Sequence, residues 1–109
     1  MQRAKINIKI NDYIIKETGI IDNDILKLKD KEDSISFDLK NLVLTKENKE
    51  LKIVMDFKNK QVIYHLIKEN QKFTNNFTVF SLTNRDKQVI INYQIEDADF
   101  NMQINYETI

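Results

Sequence analysis

The fold of this chain is decided by residues 89–107, which read VIINYQIEDADFNMQINYE. Apolar and polar residues alternate on both sides of a short polar link at 97–99, and Ile90 is the single apolar residue out of phase. Because successive side chains of a strand point to opposite faces, the pattern predicts two strands, each with one apolar and one polar face. The link predicts that they form an antiparallel hairpin. The residues expected on the apolar face are Val89, Ile91, Tyr93, Ile95, Phe100, Met102, Ile104 and Tyr106.

The same period of two recurs along most of the chain, at residues 5–10, 13–18, 25–29, 35–40 and 51–57, and further strands are predicted at 62–67 and at Phe73 with 77–82. Together with the hairpin it predicts about eight or nine strands, joined by tight turns, in a single domain of residues 1–109. Sheets of this size tend to close, because closure removes exposed strand edges. We therefore expect an all-β antiparallel meander that closes into a small barrel, with a β-sandwich as the alternative.

Several local features refine this prediction. The apolar positions change from odd to even numbers at Lys40-Asn41, which predicts a β-bulge or a tight bend there. Residues 45–50 are expected to form a loop, and the period of two at 51–57 favours a strand over a helix spanning 45–57.

Residues 62–67 are apolar on both faces apart from His65, which predicts a central strand covered on both sides. Gly19, the sole glycine, is expected to end the second strand with a positive φ, and the other turns are expected to use Asn and Asp.

The charge balance and the absence of cysteine bound the class of protein. The chain carries 17 basic and 17 acidic residues, a formal net charge of +0. Nucleic-acid binders usually carry a basic surplus that displaces counterions from phosphates, so nucleic acid is not an expected partner. No apolar run approaches the roughly 18 residues of a membrane helix, and the first residues lack the apolar region of a secretion signal. We therefore expect a cytoplasmic protein without disulfides or thiolate metal sites.

No catalytic constellation is visible, so we do not expect an enzyme. His65 is the single histidine, and it is expected to be structural or exposed, because a general base also needs an orienting carboxylate and a nucleophile. The serines lie in strand contexts without a nucleophile elbow. The acidic clusters lie in predicted turns and match neither glycosidase nor calcium-site spacing, so no metal or cofactor is expected. These clusters are Asp22/Asp24, Asp30/Glu32/Asp33 and Glu96/Asp97/Asp99.

One alternative interpretation is an OB-like binder of single-stranded nucleic acid. Lysines would then line an outer face, and Phe73, Phe77 and Phe80 would stack on bases. The lysines are interleaved with acidic residues and the phenylalanines have the strand parity of the core, which disfavours this interpretation. The lysines concerned are Lys27, Lys29, Lys52, Lys58, Lys60, Lys68 and Lys72.

Three sets of residues carry a resemblance to a known family. They are Glu17-Thr18-Gly19 ahead of a strand–turn–strand at 20–29, the hairpin pair at 51–57 and 62–67, and the closing segments at 91–93 and 102–107. On these residues the chain resembles, over nearly its whole length, the YwiB-like proteins of Gram-positive bacteria. The resemblance implies a bacterial protein with a calycin-like (lipocalin-like) barrel of unknown function, and it supplies no catalytic residues. The chain lacks the usual turn glycines of that family and part of its first loop, which leaves the size of the barrel interior open.

Tyr64, Tyr93 and Tyr106 share the apolar parity of their strands. Because a buried phenol needs a hydrogen-bond partner, these residues predict a partly polar cavity for a small apolar or amphipathic ligand. The alternative is a barrel that fills itself with side chains, leaving the tyrosine hydroxyls in water at its mouth. The second functional hypothesis is a protein-interaction module, in which an outer sheet face or an unpaired edge strand joins a partner chain or forms a homodimer.

Overall fold

The computed structural model describes residues 1–109 and contains eleven β-strands and no helix. All neighbouring strands are antiparallel and form one sheet in the order β8-β7-β6-β5-β4-β3-β2-β1-β11-β10-β9. The prediction of an all-β antiparallel meander is confirmed, and the sheet curls into a nearly closed barrel. The strands are β1 (Gln2–Ile10), β2 (Tyr13–Asp22), β3 (Ile25–Asp30), β4 (Asp33–Asp38), β5 (Val43–Glu47), β6 (Leu51–Asp56), β7 (Gln61–Leu66), β8 (Gln71–Asn76), β9 (Thr78–Arg85), β10 (Gln88–Ile95) and β11 (Ala98–Thr108).

The prediction of eight or nine strands was too low, because the sequence pattern did not resolve β5 as a strand and did not separate β8 from β9. β5 occupies residues expected to belong partly to a loop, since the predicted bend at Lys40-Asn41 is a complete turn between two strands. The segment expected as one strand near Phe77 is divided into β8 and β9. Short strands with tight connections carry too few residues for a period of two to separate them.

Residues 71–85 form a single bent segment, because only Phe77 separates β8 from β9. The first half of this bent segment pairs with β7 and the second half pairs with β10, near the opposite end of the strand order. The bent segment therefore leaves one end of the sheet and joins the other, as corner strands do between orthogonally packed layers. β8 and β9 do not pair with each other, so each of them keeps one unpaired edge.

The core consists of 19 buried residues, all of them apolar, in one contiguous cluster. Both strands of the β10–β11 hairpin alternate between buried and partly buried positions, so the predicted hairpin and its apolar face are confirmed. By contrast, β7 is not the central, doubly covered strand expected from its composition. It lies next to the edge strand β8, and only Val62 among its residues is buried. β7 therefore carries more apolar residues than its position beside the edge strand can bury.

Gly19 lies inside β2 and does not have a positive φ, so the expectation that it ends the strand was wrong. A Cβ atom at this position would overlap the carbonyl oxygen of Lys27 and lie 3.1 Å from the Cβ of Leu28. Its cross-strand partner on β1 is Ala4, which is fully buried. Glycine and alanine at these two positions therefore leave room for β3 to lie close against β2. This close approach occurs where the pairing of β2 with β3 ends, at Ile20 opposite Lys27.

The turns are built without glycine. Two of them share the sequence Asp-x-Lys-Asn, in which Asp38 and Asp56 accept backbone N–H bonds of 2.9–3.1 Å from residues two and three positions ahead. Bonds from Asn41 lower the pKa of Asp38; burial acts to raise the pKa of Asp56, but bonds from Asn59 outweigh it and the pKa is lowered. Asn and Asp supply part of the left-handed backbone, as expected, and Lys, Leu and Glu supply the rest. The residues with positive φ are Asn11, Asn23, Asp24, Lys31, Leu42, Lys60, Asn70, Lys87 and Glu96.

Candidate binding site

A β-bulge in β9 places an aromatic side chain at the surface. Asn92 of β10 pairs with Ser81, whereas the next residue, Tyr93, pairs with Val79, so Phe80 is the extra residue of β9. Its side chain is 61% exposed, although it belongs to a strand whose apolar positions otherwise face inward. Bulges re-aim side chains and are frequent beside functional sites. Phe80 is therefore the first candidate for a ligand-binding residue.

Beside this ring lies a depression of about 470 Å³ that opens to solvent, which we call the Phe80 depression. Three of its lining residues are aromatic and the others are polar, and Phe80 is the one aromatic residue among them that is exposed. The lining residues are Asn11, Phe80, Asn92, Tyr93, Gln94, Asp99, Phe100 and Asn101.

The Tyr93 and Phe100 rings point to the inward face of the β10–β11 hairpin, opposite the face that carries the polar rim of the Phe80 depression. The Tyr93 ring stacks on Phe100, with centroids 5.2 Å apart and planes at 14°. It also meets Phe57 and Phe77 edge-to-face at 5.2 and 5.8 Å. Such contacts stabilise beyond area burial, so these rings form a rigid aromatic cluster in the core, on the side of the sheet away from the Phe80 depression. Tyr93 is 2% exposed, and burial raises the pKa of its hydroxyl to about 12, with a further contribution from the nearby Tyr64.

The hydroxyl of Tyr93 has no hydrogen-bond partner in the protein. The one buried side-chain polar atom without a partner is Nε2 of His65, so the Tyr93 hydroxyl must still reach solvent. The hydroxyl is free to donate or to accept a hydrogen bond from outside the protein.

The polar rim divides into groups already engaged and groups that are free. Asn101 donates its side-chain N–H to Asn92 Oδ1 at 2.6 Å, and Asn92 donates to the Ser81 hydroxyl at 2.8 Å. Asn11 Oδ1 accepts the Asn101 backbone N–H at 2.9 Å. These bonds fix the positions of Asn11, Asn92 and Asn101 on one side of the rim.

Gln94 and Asp99 stand directly opposite each other on the β10–β11 hairpin. Their side chains make no hydrogen bond or ion pair with the protein. The rim therefore offers an amide, which both donates and accepts, and a carboxylate, which accepts, to a ligand in the Phe80 depression.

The three tyrosines predicted to bind a ligand do not share one cavity. Tyr93 lines the Phe80 depression, and Tyr64 on β7 lies near enough to influence its ionisation but lines none of the principal depressions. Tyr106 lines a separate depression of about 370 Å³ together with Lys5, Glu107 and other residues. The structure thus brings Tyr64 close to Tyr93 and keeps Tyr106 apart.

Phe100, Gln94 and Asp99 were missed as site residues, and Phe80 was considered only as a base-stacking residue of the OB-like alternative. A signal for Phe80 was present: the apolar positions change from odd numbers at Phe77 and Val79 to even numbers at Phe80 and Leu82. That is the shift in parity that a bulge produces. Nothing in the sequence pattern distinguishes Gln94 and Asp99 from other polar residues of the hairpin.

The remaining candidate groups are dispersed. Half-buried His65 lies on the outer face of β7, paired across the sheet with Lys52 on β6 and Lys72 on β8. Lys27, Lys29, Lys52 and Lys72 take outer-facing positions, whereas Phe73 and Phe77 follow the inward parity, so no common surface combines them. A larger depression of about 550 Å³ at β2–β5 has Lys27, Lys29, Glu17 and Glu47 in its lining, which balance in charge. The acidic clusters lie at turns, and no group of three His, Cys, Asp or Glu is arranged to hold a metal.

Comparison of the chain with family models, with curated proteins and with solved structures gave no match. None of the elements is a helix long and apolar enough to pass through a lipid bilayer.

Proposed function

We propose that this protein is a binding protein without enzymatic activity of its own, and that it takes a small amphipathic ligand in the Phe80 depression. The observation that carries the proposal is the bulge that exposes Phe80 beside two unengaged polar side chains, Gln94 and Asp99. The ligand would have a flat apolar face for the Phe80 ring and a hydroxyl or amide edge for Gln94 and Asp99.

The apolar part of the interaction is modest. Fully burying a phenylalanine side chain stabilises by about 1.5–3 kcal/mol, and Phe80 has a little over half of its surface left to bury. The Phe100 and Tyr93 rings pack on the inward face of the hairpin and gain no area, but their packing holds the backbone below the Phe80 depression in a preorganised shape. Preorganisation lowers the cost of binding.

The polar part supplies orientation. The Asp99 carboxylate accepts hydrogen bonds and attracts a hydroxyl or an ammonium group, while the Gln94 amide accommodates either a donor or an acceptor. Because the depression is open to water, we expect ligand efficiencies near the usual value of about 0.3 kcal/mol per heavy atom. A ligand of about 15 heavy atoms would then bind with a Kd on the order of 1 mM.

This proposal places the ligand at the surface of the barrel. The interior is occupied by the contiguous apolar core, which includes Phe57, Met102 and Ile91. The calycin-like character and the relation to YwiB-like proteins stay predictions from the sequence, and the proposal does not depend on them.

The test is an NMR titration of the ¹⁵N-labelled protein with benzyl alcohol and with hexyl glucoside, both of which combine an apolar face with hydroxyls. We expect the largest backbone shifts at Phe80, Gln94 and Asp99, and at least a five-fold weaker response in the Phe80→Ala variant. Phe73→Ala is the matched control, because Phe73 is 52% exposed on the same bent segment and lies outside the depression. Equal responses in the two variants, or shifts centred elsewhere, would contradict the proposal.

A further inference from the structure

The edge strand β8 is unprotected against pairing with another chain. All six of its residues are exposed, and one of its backbone edges has no neighbour. Natural edge strands are usually protected by charges, prolines or bulges. Residues 73–84 contain no charged residue, although 31% of the chain is charged, and the chain has no proline. Lys72 is the single charge within β8.

The two unpaired edges of the sheet differ in how open they are. The β9 edge is approached by the turn after β4, since Asn84 donates a side-chain N–H to the Leu39 carbonyl at 3.2 Å. No comparable contact reaches β8 from its free side. Phe73, on the inward-facing side of β8 opposite Tyr64, remains 52% exposed. β8 is therefore the open end of the sheet.

We propose that the free edge of β8 pairs antiparallel with β8 of a second copy of this chain, around a twofold axis. Facing residues of an antiparallel pair point to the same side of a sheet. The inward-facing sides of the two copies therefore match only when the axis passes through a residue, and the two central choices are Phe73 and Thr74. In either register the exposed Phe73 rings come within contact of each other, directly or diagonally.

The charges do not oppose pairing with a second copy. With the axis at Phe73, Lys72 faces Thr74 of the second copy, and with the axis at Thr74 it faces Asn76, so no lysine directly faces a lysine. With the axis at Phe73 the next pair is Gln71 with Asn75, two amides that can hydrogen-bond across strands, and with the axis at Thr74 it is Phe73 with Asn75. The formal net charge of +0 also removes long-range repulsion between identical chains.

The size of the contact sets its strength. A pair of six-residue strands buries less than the roughly 1,000 Å² expected of a stable interface, so the dimer is a weak one. We expect a monomer–dimer equilibrium with a Kd on the order of 10–100 μM, in the range of transient contacts. This proposal is independent of the ligand site, because Phe80 lies on β9 and outside the pairing edge.

The first test is sedimentation velocity of the intact chain between about 5 and 500 μM. We expect the weight-average mass to rise from 13.0 kDa toward twice that value, and the Phe73→Lys variant to remain monomeric across the range, because two lysines would then lie near the axis. Thr74→Lys is a second variant with the same expectation, in case the first is poorly folded. Ile14→Lys is the control, because Ile14 is 56% exposed but lies on β2 away from the edge. A wild-type protein that stays monomeric, or lysine variants that dimerise normally, would overturn the proposal.

The second test uses the absence of native cysteines. A Phe73→Cys variant should form a disulfide-linked dimer under mild oxidation if the axis passes through Phe73, and a Thr74→Cys variant should do so if it passes through Thr74. Ile14→Cys should cross-link at least ten-fold more slowly. If neither β8 variant cross-links faster than this control while dimers are present in solution, the dimer uses another surface and the proposal fails.

Discussion

The β10–β11 hairpin and the bent segment show the same alternation of residues but bury it to different extents. In the hairpin, Ile91, Tyr93 and Met102 are at most 2% exposed, whereas Phe73 and Phe80 of the bent segment are more than half exposed. Each strand of the hairpin has a neighbour on both sides, while β8 and β9 have a neighbour on one side only. The alternation therefore indicates which face of a strand is apolar, and the position in the sheet decides how far that face is covered.

The largest expected effect comes from a charge introduced into the covered region. Tyr93→Asp would bury an unpaired carboxylate among three aromatic rings, and we expect it to cost more than about 4 kcal/mol, enough to unfold most of the population. Circular dichroism with thermal unfolding measures this loss. Asn92→Asp, on the opposite face of the same strand, should change the stability by less than about 1 kcal/mol, since the Ser81 hydroxyl can donate to the new carboxylate. Comparable losses of stability in the two variants would contradict the assignment of a buried apolar face and a polar outer face to the hairpin.

A second prediction compares two phenylalanines within the bent segment itself. Phe77, at its corner, is 6% exposed and meets the Phe57 ring at 5.5 Å, whereas Phe73 has no ring partner within the core. We expect Phe77→Ala to lower the free energy of unfolding by about 3–4 kcal/mol and Phe73→Ala by less than about 1 kcal/mol. Urea unfolding at a protein concentration of a few micromolar, where the chain is monomeric, is the measurement. A loss for Phe73→Ala that matches Phe77→Ala would mean that β8 is covered as well as the corner is.

The smallest expected effect is a dependence of stability on alkaline pH. Burial raises the pKa of Tyr93 from 10.0 to about 12, so the folded state holds this proton more tightly than the unfolded state does. The stabilisation is fully present below about pH 10, and it is lost as the pH rises from about 10 to about 12, because only the unfolded state ionises there. Urea midpoints at pH 8 and pH 11 should therefore fall further for the wild type than for Tyr93→Phe, which lacks the hydroxyl. Equal decreases in the urea midpoint of the wild type and of Tyr93→Phe would show that the Tyr93 hydroxyl is as well solvated as those of the other tyrosines.

The parts of the fold that could be predicted are those where a local pattern is reinforced by neighbours. Residues 89–107 alternate cleanly because both of their strands lie between other strands and carry one fully covered face. The strand number could not be predicted, since the partner switch at Phe77 depends on which strands lie at the ends of the sheet and not on the residues around it. Gly19 was misjudged for a related reason: its small size serves a close approach to Lys27, a contact that no local pattern records.

For the candidate site, the sequence indicated aromatic residues, and one of them, Tyr93, is among the lining residues of the Phe80 depression. The parity of Tyr93 correctly predicted an inward-facing ring, but it could not reveal that Phe57, Phe77 and Phe100 surround that ring. Phe80 became a candidate only once the register with β10 was known, because its exposure results from the extra residue in β9.

The pairing of β1 with β11 has a consequence for how the chain is made. Ala4 pairs with Thr108, and β11 fills the position between β1 and β10 near the middle of the sheet order. Contacts between residues so distant in sequence close late and slowly. A growing chain on the ribosome therefore carries two long unpaired edges, β1 and β10, until β11 is released. Nascent chains of this protein should accordingly depend on holding chaperones more than helical proteins of equal length do.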